Sequence, residues 1–328
     1  MTGVKRVYVT RQLPQSALDR LEGEVEWSVS PHDRVLERDE LLDAIADVDG
    51  LLCLLTDEID AEVMDAAPNL RIIANYAVGY DNIDVEAATE RGILVTNTPG
   101  VLSETTADLT WALIMAVTRR VVEGDRFMRA GKYEGWAPML LLGSDVYGKT
   151  LGIIGMGNIG QAVARRAIGF DMDILYQDMF FDLSEVAEHL LDAEEVPTDE
   201  VLRRSDIVTL HVPLTEKTHH MIGERELELI GEDGYLINAS RGPVVDEVAL
   251  VEALRDGTIA GAGLDVYEDE PEMKPGLAEL DNVVLLPHLG SATIETRTAM
   301  ADLAVDNLLA FFAGEQPPTP VNPEVLEH

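Results

Sequence analysis

The fold of this chain is indicated most clearly at residues 151–160, where the sequence reads Leu151-Gly152-Ile153-Ile154-Gly155-Met156-Gly157-Asn158-Ile159-Gly160. The apolar start is typical of a buried strand, and Ala162, Val163 and Ala164 continue it as one face of a helix. Between strand and helix, the first glycine permits a tight turn, the second lets the backbone approach a pyrophosphate, and the third allows close packing. The helix N-terminus adds free N–H groups. We therefore predict a dinucleotide site here.

The strand that follows ends at an acid that bears on cofactor choice. Asp178 lies near the ~20-residue offset at which a carboxylate bonds the adenosine ribose. Its charge would repel the 2′-phosphate of NADP, and no Arg or Lys follows in Met179-Phe180-Phe181-Asp182-Leu183. NAD is therefore the favoured cofactor, although screening of the repulsion at high salt leaves use of both NAD and NADP open.

Short apolar strands alternate with helical segments along the whole chain, which predicts βαβ units and parallel sheets. The predicted strands are Arg6–Thr10, Val25–Val29, Leu51–Leu55, Ile72–Asn75, Ile93–Thr96, Lys149–Ile154, Ile174–Gln177, Ile207–His211, Tyr235–Asn238, Gly261–Val266 and Val283–Leu286.

The helical segments fall between these strands. In the first part they are Pro14–Glu22, Arg38–Ala46, Ala61–Ala66 and Val85–Arg91. One long helix is predicted from about Glu104 to Ala130 as a connector between two lobes, and another from Ile294 to Ala313, ending at Gly314.

The chain is strongly acidic. Its 328 residues carry 24 Lys+Arg and 61 Asp+Glu, for a formal net charge of −37. Nucleic-acid binding needs clustered cations, so it is not expected, and neither is docking on anionic membranes. Self-repulsion at this charge is relieved by salt, and we interpret the surface as adapted to a salty, halophilic interior.

The sequence also predicts a cytoplasmic location. No apolar leader precedes the first strand and no apolar stretch is long enough to span a membrane. The single cysteine, Cys53, lies in an apolar run, where a small buried side chain is the expected role and a reactive thiol is not.

Three segments at the carboxyl ends of predicted strands carry reactive side chains. They are Asn238–Gly242, Leu264–Pro271 and Leu286–Ser291. They offer an Arg that can grip an α-keto acid carboxylate, a His that can donate a proton, and a Glu that favours the charged imidazole. Beside a nicotinamide this combination suits the reduction of a keto acid.

These motifs together resemble the D-isomer-specific 2-hydroxyacid dehydrogenases. The resemblance rests on Gly155–Gly160, on Asn238–Val245 with its Arg-Gly, on Gly263-Leu264-Asp265-Val266 followed by Glu-Pro, and on Pro287-His288 followed by Gly290. The segment Asn75–Asp84 extends it to nearly the whole chain.

The resemblance implies a role for each matching residue. Arg241 would bind the substrate carboxylate and polarise the keto oxygen, and His288 would be the acid in reduction and the base in oxidation, with Glu270 as its partner. The backbone N–H groups of Val78 and Gly79 would hold the carboxylate, with Tyr76 nearby. The cofactor-binding residues would be Gly155, Met156, Gly157, Asn158, Ile159, Gly160, Asp178, His211, Asp265, which would contact the nicotinamide carboxamide, and Gly290. No metal is expected.

The resemblance also implies an α/β architecture of two Rossmann-like lobes with parallel sheets. Residues 1–102 with 294–328 would form a discontinuous, flavodoxin-like substrate lobe. Residues 103–293 would form the dinucleotide-binding lobe, through which related enzymes usually dimerise.

Several residues have a plainer interpretation. Arg241 could form a surface ion pair, Glu270 lies in an acidic run, and most histidines are structural. The adjacent His219 and His220 are interpreted as loop surface, because no Cys or carboxylate pattern beside them supports a metal site. Trp136 either reaches a neighbouring subunit's site, as in related reductases, or packs in the core.

The predicted activity is reversible hydride transfer between NAD(P)H and a 2-keto acid. Within the family, a glyoxylate/hydroxypyruvate reductase is the nearest alternative, and a phosphoglycerate dehydrogenase is weakened by the short tail after Ala313. From another class, the same fold could serve as an NAD-sensing binding protein. Turnover would separate an enzyme from a sensor.

Overall fold

The computed structural model describes residues 4–179 and 191–327. Most of the segment after Asp178, which bears on the choice between NAD and NADP, lies outside the described residues: Phe180, Phe181, Asp182 and Leu183. The described chain separates into two compact units, one formed by the chain up to Leu102 and from Ala292 onward, the other lying within Ser103–Ser291.

The strands and helices alternate as the sequence predicts. The strands of the described residues are β1 (Arg6–Val9), β2 (Glu26–Val29), β3 (Gly50–Cys53), β4 (Ile72–Asn75), β5 (Leu94–Thr96), β6 (Thr150–Ile154), β7 (Asp173–Gln177), β8 (Ala193–Glu195), β9 (Ile207–Leu210), β10 (Tyr235–Asn238), β11 (Gly261–Leu264) and β12 (Val283–Leu285). The α-helices are α1 (Gln15–Leu18), α2 (Arg38–Ile45), α3 (Ala61–Ala66), α4 (Val85–Glu90), α5 (Ser103–Thr118), α6 (Val121–Arg129), α7 (Asn158–Ala167), α8 (Thr198–Arg204), α9 (Glu224–Ile230), α10 (Glu247–Asp256) and α11 (Ile294–Ala313).

The first unit contains a five-stranded parallel sheet in the order β2-β1-β3-β4-β5. Its central strands β3 and β4 are buried along their whole length, as expected for a parallel sheet covered on both faces. Cys53, at the end of β3, is fully buried, which confirms its predicted role as a small core residue. Burial raises the pKa of its thiol well above the ordinary value.

The second unit contains a seven-stranded parallel sheet in the order β12-β11-β10-β9-β6-β7-β8. The chain starts at β6 in the middle, runs outward through β7 and β8, and returns to β9 on the other side. This reversal creates a switch point between β6 and β9, where the loops at the carboxyl ends diverge and leave a crevice. The prediction of two α/β parallel sheets is confirmed.

The single long helix predicted from Glu104 to Ala130 is wrong. The chain forms α5 and α6 instead, because Arg120 adopts a left-handed backbone with φ 52°. At the end of α5, the N–H of Ser144 donates to the carbonyl of Thr118 at 2.9 Å. The Arg120 side chain donates to the Glu123 carboxylate at 2.7 Å. The break thus depends on a contact more than twenty residues away along the chain.

The other corrections are small. Strand ends differ from the predicted ones by one or two residues, the segment predicted as helix over Pro14–Glu22 is a short α-helix followed by a 3-10 turn at Asp19–Leu21, and β8 was missed. The edge strand β8 has the sequence Ala-Glu-Glu and is largely exposed, so it lacks the apolar pattern that predicts a strand. In the described part of the chain, every helix is too short or too polar to cross a bilayer.

Candidate active site

The predicted chemical groups of the second unit all follow the carboxyl ends of its strands. Gly155 follows β6, Asp178 follows β7, His211 follows β9, Arg241 follows β10, Asp265 and Glu270 follow β11, and His288 follows β12. Because parallel strands end at one edge of the sheet, these groups lie on the same side of the unit, at the edge that contains the switch point.

The three glycines of the 155–160 loop have different surroundings. A Cβ at Gly155, whose φ is 98°, would lie 2.6 Å from the His211 carbonyl, and a Cβ at Gly160 would lie 2.1 Å from the Gly155 oxygen. At Gly157, by contrast, no described residue other than its neighbours along the chain comes within 4 Å of the Cβ position. The first and third glycines are therefore required by the packing of this unit itself, whereas the second borders open space.

The N-terminus of α7 is available to an anion. The helix begins at Asn158, and no side chain caps its first N–H groups. N–H groups at a helix start have no acceptor within the helix and can donate hydrogen bonds to phosphate oxygens. Next to them, the Asp178 carboxylate accepts the Met156 N–H at 2.5 Å, while the Met156 side chain is buried in the core. Asp178 thus ties the end of β7 to the glycine loop.

His211 carries an unused polar atom into this region. Its Nε2 bonds the Thr209 hydroxyl at 2.9 Å, and its Nδ1 is buried without a partner among the described residues. Burial lowers the pKa of His211 to about 3, so its imidazole is neutral at physiological pH. The open side of Gly157, the uncapped helix and this orphaned nitrogen together fit a bound dinucleotide.

The His288 side chain is paired with a carboxylate. Its Nδ1 lies 3.0 Å from Glu270 Oε2, and the other oxygen of Glu270 accepts the Tyr267 N–H at 3.1 Å. Burial alone would raise the pKa of Glu270, but the hydrogen bond with His288 and the charge of His288 outweigh it and lower the pKa. Glu270 is therefore ionised at neutral pH, and Nε2 of His288 is left as the atom that can exchange a proton with a substrate.

The backbone around His288 is held in an unusual conformation. His288 has φ 54°, in the left-handed region that non-glycine residues rarely occupy. Its N–H donates to the Asp265 carbonyl at 2.9 Å, and the N–H groups of Leu289 and Gly290 donate to the Asp265 carboxylate at 2.6 and 2.8 Å. Asp265 is 1% exposed, and burial raises its pKa. Its predicted contact with the nicotinamide carboxamide stays a prediction.

Arg241 is positioned by its own loop. The Asn238 side chain donates to the Arg241 carbonyl at 2.9 Å and accepts from the N–H of Ser240 at 3.0 Å. The next residue, Gly242, packs directly on the chain after β11, since a Cβ there would lie 1.7 Å from the Tyr267 oxygen. This approach brings Arg241 near Glu270, whose pKa its charge helps to lower.

Sequence reasoning missed the groups that hold the Glu270 loop. Glu247, 3% exposed at the start of α10, accepts the N–H of Glu268 at 2.8 Å and that of Lys274 at 2.7 Å. His220 Nε2 lies 3.0 Å from the Glu268 carboxylate, so only His219 is plain loop surface as predicted. Among the described residues, no three His, Cys, Asp or Glu side chains cluster as a metal site would.

In the first unit, the predicted substrate residues follow β4. Val78 and Gly79 are half-buried, and among the described residues no group accepts their backbone N–H. Tyr76 is 3% exposed, and its hydroxyl donates to the Arg297 carbonyl at 2.7 Å, so its ring is part of the unit's packing. Trp136, in the second unit, is 82% exposed, so the alternative that it packs in the core is wrong.

A glycine loop with an open helix N-terminus and a His–Glu pair on one sheet edge would suit hydride exchange with a bound nicotinamide, the chemistry of a dehydrogenase. The chain belongs to the D-isomer specific 2-hydroxyacid dehydrogenase family, whose NAD binding domain matches residues 111–290. The resemblance predicted from the motifs is therefore confirmed.

Individual relatives agree with this assignment. A glyoxylate reductase of Thermococcus gammatolerans is 53% identical over 326 residues, which cover 98% of this chain and 97% of the relative. The crystal structure of a glyoxylate reductase from Paecilomyes thermophila is 34% identical, with a TM-score of 0.88 over 99% of this chain and 100% of that one. An NADPH-dependent glyoxylate/hydroxypyruvate reductase from Sinorhizobium meliloti, solved with NADP and malonate, is 37% identical with a TM-score of 0.85 over 97% of both chains.

This chain is accordingly an NAD(P)-dependent oxidoreductase that acts on 2-hydroxy acids. The predicted enzyme class is confirmed, and the alternative of an NAD-sensing binding protein is not needed.

The glycine geometry gives a test of the cofactor cradle. Gly157→Ala should leave the stability of the free protein unchanged, because its Cβ meets open space, but should weaken NADH binding by about 1–3 kcal/mol, the cost of overpacking a fitted site. Gly160→Ala should instead lower the free energy of unfolding by about as much. Thermal unfolding and NADH fluorescence titration of both variants measure the two effects. Loss of stability in Gly157→Ala, or unchanged NADH affinity, would refute the assignment.

Proposed function

We propose that this enzyme reduces small 2-keto acids, glyoxylate and hydroxypyruvate first among them, to the corresponding 2-hydroxy acids. The observation that carries the acid–base chemistry is the His288–Glu270 pair, with Nδ1 and Oε2 3.0 Å apart. The choice of substrates is supported by relatives that carry the name glyoxylate reductase at 53% identity over 98% of this chain.

Each residue has a defined role in reduction. The guanidinium of Arg241 binds the substrate carboxylate and polarises the keto oxygen, which suits a planar donor with two parallel N–H groups. His288 donates its Nε2 proton to the keto oxygen as that oxygen becomes a hydroxyl. Glu270 holds the imidazole at Nδ1 and so fixes its orientation, with Nε2 left for the substrate. When bound, the nicotinamide supplies the hydride from its C4 to the keto carbon.

The first unit contributes backbone donors. We assign the N–H groups of Val78 and Gly79 to the substrate carboxylate, since both residues are half-buried and neither N–H has an acceptor in the described part of the chain. Two adjacent N–H groups can bind an anion without introducing a charged side chain. The cofactor's phosphates are assigned to Gly157 and the N-terminus of α7, and its adenosine ribose to Asp178. Contacts of His211 and Gly290 with the cofactor belong to the same proposal.

The acid–base assignment predicts a shifted pH dependence. Glu270→Gln removes the carboxylate that bonds His288 Nδ1, and a nearby negative charge favours a protonated partner, so the alkaline limb of keto-acid reduction should move to lower pH. His288→Ala should lower kcat by roughly 10²- to 10⁴-fold. NADH oxidation is measured between pH 5 and 10 with glyoxylate, hydroxypyruvate, pyruvate and 2-ketohexanoate.

The neighbouring exposed acid provides the control for this experiment. Asp269 is bound to Lys274 on the surface, and Asp269→Asn should keep the wild-type pH limb. An unshifted limb in Glu270→Gln would reject the pairing as the cause of the pH dependence. A wild-type enzyme that reduces 2-ketohexanoate much better than glyoxylate would keep the chemistry but reject the substrate assignment.

Cofactor preference forms a second part of the proposal. Asp178 should favour NADH, because its carboxylate repels a 2′-phosphate by about 1 to 4 kcal/mol at a separation of about 4 Å, depending on exposure. Asp178→Ser should therefore raise the kcat/KM ratio of NADPH to NADH roughly tenfold. The exposed Asp173 supplies the control variant Asp173→Ser, which should keep the wild-type ratio. Equal kcat/KM values for NADH and NADPH with the wild type in 0.1 M KCl would contradict the proposal. If the two values become equal only in molar KCl, salt screens the repulsion between Asp178 and the 2′-phosphate.

We also propose a cytoplasmic homodimer that forms through the second unit. The support is an exposed apolar stretch, the arm segment 121–147, in which Trp136, Met139, Leu142 and Tyr147 are each more than half exposed. Several large exposed apolar side chains within one segment are what a protein interface would cover.

The oligomeric state tests this part directly. Light scattering should give twice the chain mass of 35.9 kDa for the wild type and the single mass for the double variant Met139→Glu, Leu142→Glu. Val35, an exposed apolar residue of the first unit, supplies the control Val35→Glu, which should remain dimeric. If Trp136 reaches the partner's site, Trp136→Ala should stay dimeric and change the KM for hydroxypyruvate. A monomeric wild type would reject the proposal.

A further inference from the structure

The loop after β4 is held by its carbonyl oxygens. Four successive carbonyls each accept one hydrogen bond from elsewhere in the first unit. The Ala77 carbonyl accepts the Thr98 N–H at 2.8 Å, and the Val78 carbonyl accepts Asn97 Nδ2 at 2.8 Å. The Gly79 carbonyl accepts Asn75 Nδ2 at 2.9 Å, and the Tyr80 carbonyl accepts the Ile83 N–H at 3.0 Å.

Fixing a carbonyl also fixes the direction of the next N–H. In a planar trans peptide the C=O of one residue and the N–H of the following residue point in opposite directions. Thr98, by holding the Ala77 carbonyl, therefore turns the N–H of Val78 away from the 97–98 segment. Asn97, by holding the Val78 carbonyl, turns the N–H of Gly79 away in the same way. The two free N–H groups thus point away from a common support.

Asn97 is itself fixed by the C-terminal part of the chain. Its carbonyl accepts the Thr319 hydroxyl at 2.6 Å, and its N–H donates to the Thr319 carbonyl at 3.3 Å. Thr319 is anchored by Asn307 of α11, which is fully buried and bonds both the N–H and the hydroxyl of Thr319, at 3.0 and 2.8 Å. A chain of direct hydrogen bonds therefore runs from α11 through Thr319 and Asn97 to the loop.

The next residues secure this part of the chain. Val321 donates its N–H to the Val95 carbonyl at 2.8 Å, and the buried Asn322 side chain accepts the Val95 N–H at 2.7 Å and donates to the Ile93 carbonyl at 3.0 Å. The segment 319–322 is thereby added along the edge strand β5. Because β5 ends next to Asn97, the segment holds both the strand and the residue that follows it.

We propose that Asn97 is a positioning residue for the keto-acid carboxylate, and that Thr319 holds it in place. The inference rests on the proposed function, in which the N–H groups of Val78 and Gly79 bind that carboxylate. The hydrogen bonds found for Asn97 among the described residues all lie within the first unit. Loss of Asn97 should therefore weaken carboxylate binding and leave the chemical step and the binding of NADH intact.

Steady-state kinetics and inhibitor binding test this role. Asn97→Ala should raise the KM for glyoxylate roughly 3- to 10-fold, the range expected when one hydrogen bond that fixes a carbonyl is lost. The inhibition constant of oxamate, an unreactive carboxylate analogue of a keto acid, should rise in parallel. The kcat at saturating glyoxylate should stay within twofold of the wild type, and so should the dissociation constant of NADH.

Thr319 gives a milder pair of variants in case Asn97→Ala folds poorly. Thr319→Val removes the hydroxyl that bonds the Asn97 carbonyl and should raise the KM in the same direction, whereas Thr319→Ser keeps the hydroxyl and should restore the wild-type KM. Asn282 supplies a matched control, because its side chain also donates to two carbonyls, those of Leu254 and Ala260, but in the second unit. Asn282→Ala should leave the KM for glyoxylate and the oxamate constant unchanged.

The outcomes separate this inference from the function on which it rests. If the wild type reduces glyoxylate and the Asn97 and Thr319 variants keep its KM and oxamate constant, the positioning role is overturned while the proposed function stands. A drop in kcat and NADH affinity together with the rise in KM would show a general structural role and also overturn it. A wild type that turns over no 2-keto acid would overturn the proposed function, and the inference with it.

Discussion

The geometry of the His288–Glu270 pair depends on one buried carboxylate, that of Asp265. Asp265 accepts two N–H groups, from Leu289 and Gly290, while its carbonyl accepts that of His288. A left-handed backbone at a non-glycine residue costs of order 1–3 kcal/mol and persists only where its surroundings impose it. These three bonds impose it, and they fix where the His288 imidazole lies relative to Glu270. Asp265 therefore matters to the candidate site even before any contact with a cofactor is considered, since it fixes the backbone of His288, to which we assign the proton transfer.

Around this pair, local backbone positions are fixed by side chains that carry no chemistry. Glu247 holds the strand-end loop of Glu270 through two N–H groups, and Asn238 holds the loop of Arg241. In the first unit, Asn75 and Asn97 hold the loop of Val78 and Gly79. Loops at the ends of a parallel sheet lack ladder hydrogen bonds, so their backbone polar groups need other partners. Buried Asn and Asp or Glu side chains supply these partners, and their short, directional contacts make the reactive groups rigid.

The sequence predicted the fold and a set of candidate site residues, but not the contacts by which Asn97 and Glu247 hold the neighbouring loops. Buried parallel strands are short apolar runs, and their loops follow in a fixed order, so β4, β10 and the helices α3 and α11 could be located to the residue. The break at Arg120 could not, because it depends on Ser144, which only the folded chain brings to the end of α5. Asn97 and Glu247 were missed for the same reason: each acts on a backbone group distant in sequence, and an isolated Asn or Glu carries no pattern that reveals such a contact. The exposure of Trp136 could not be predicted either, because it depends on the path that the arm segment takes in the folded chain.

The charge of the chain explains why backbone donors suit this enzyme. Keto acids and nicotinamide dinucleotides are both anionic, and they approach a protein of net charge −37. The field of so many acids opposes the encounter over roughly one Debye length, about 30 Å at 0.01 M salt and about 3 Å at 1 M. Most of the few cations are engaged with acids on the surface, as Arg38 is with Asp60 and Glu62. The N–H groups that we assign to these ligands, at Val78, Gly79 and the start of α7, would act only at contact distance, so salt that screens the repulsion would leave their hydrogen bonds in place. The enzyme can therefore combine an acidic surface with anionic ligands, provided that its backbone donors are held as firmly as the hydrogen bonds around Asn97 and Gly155 hold them.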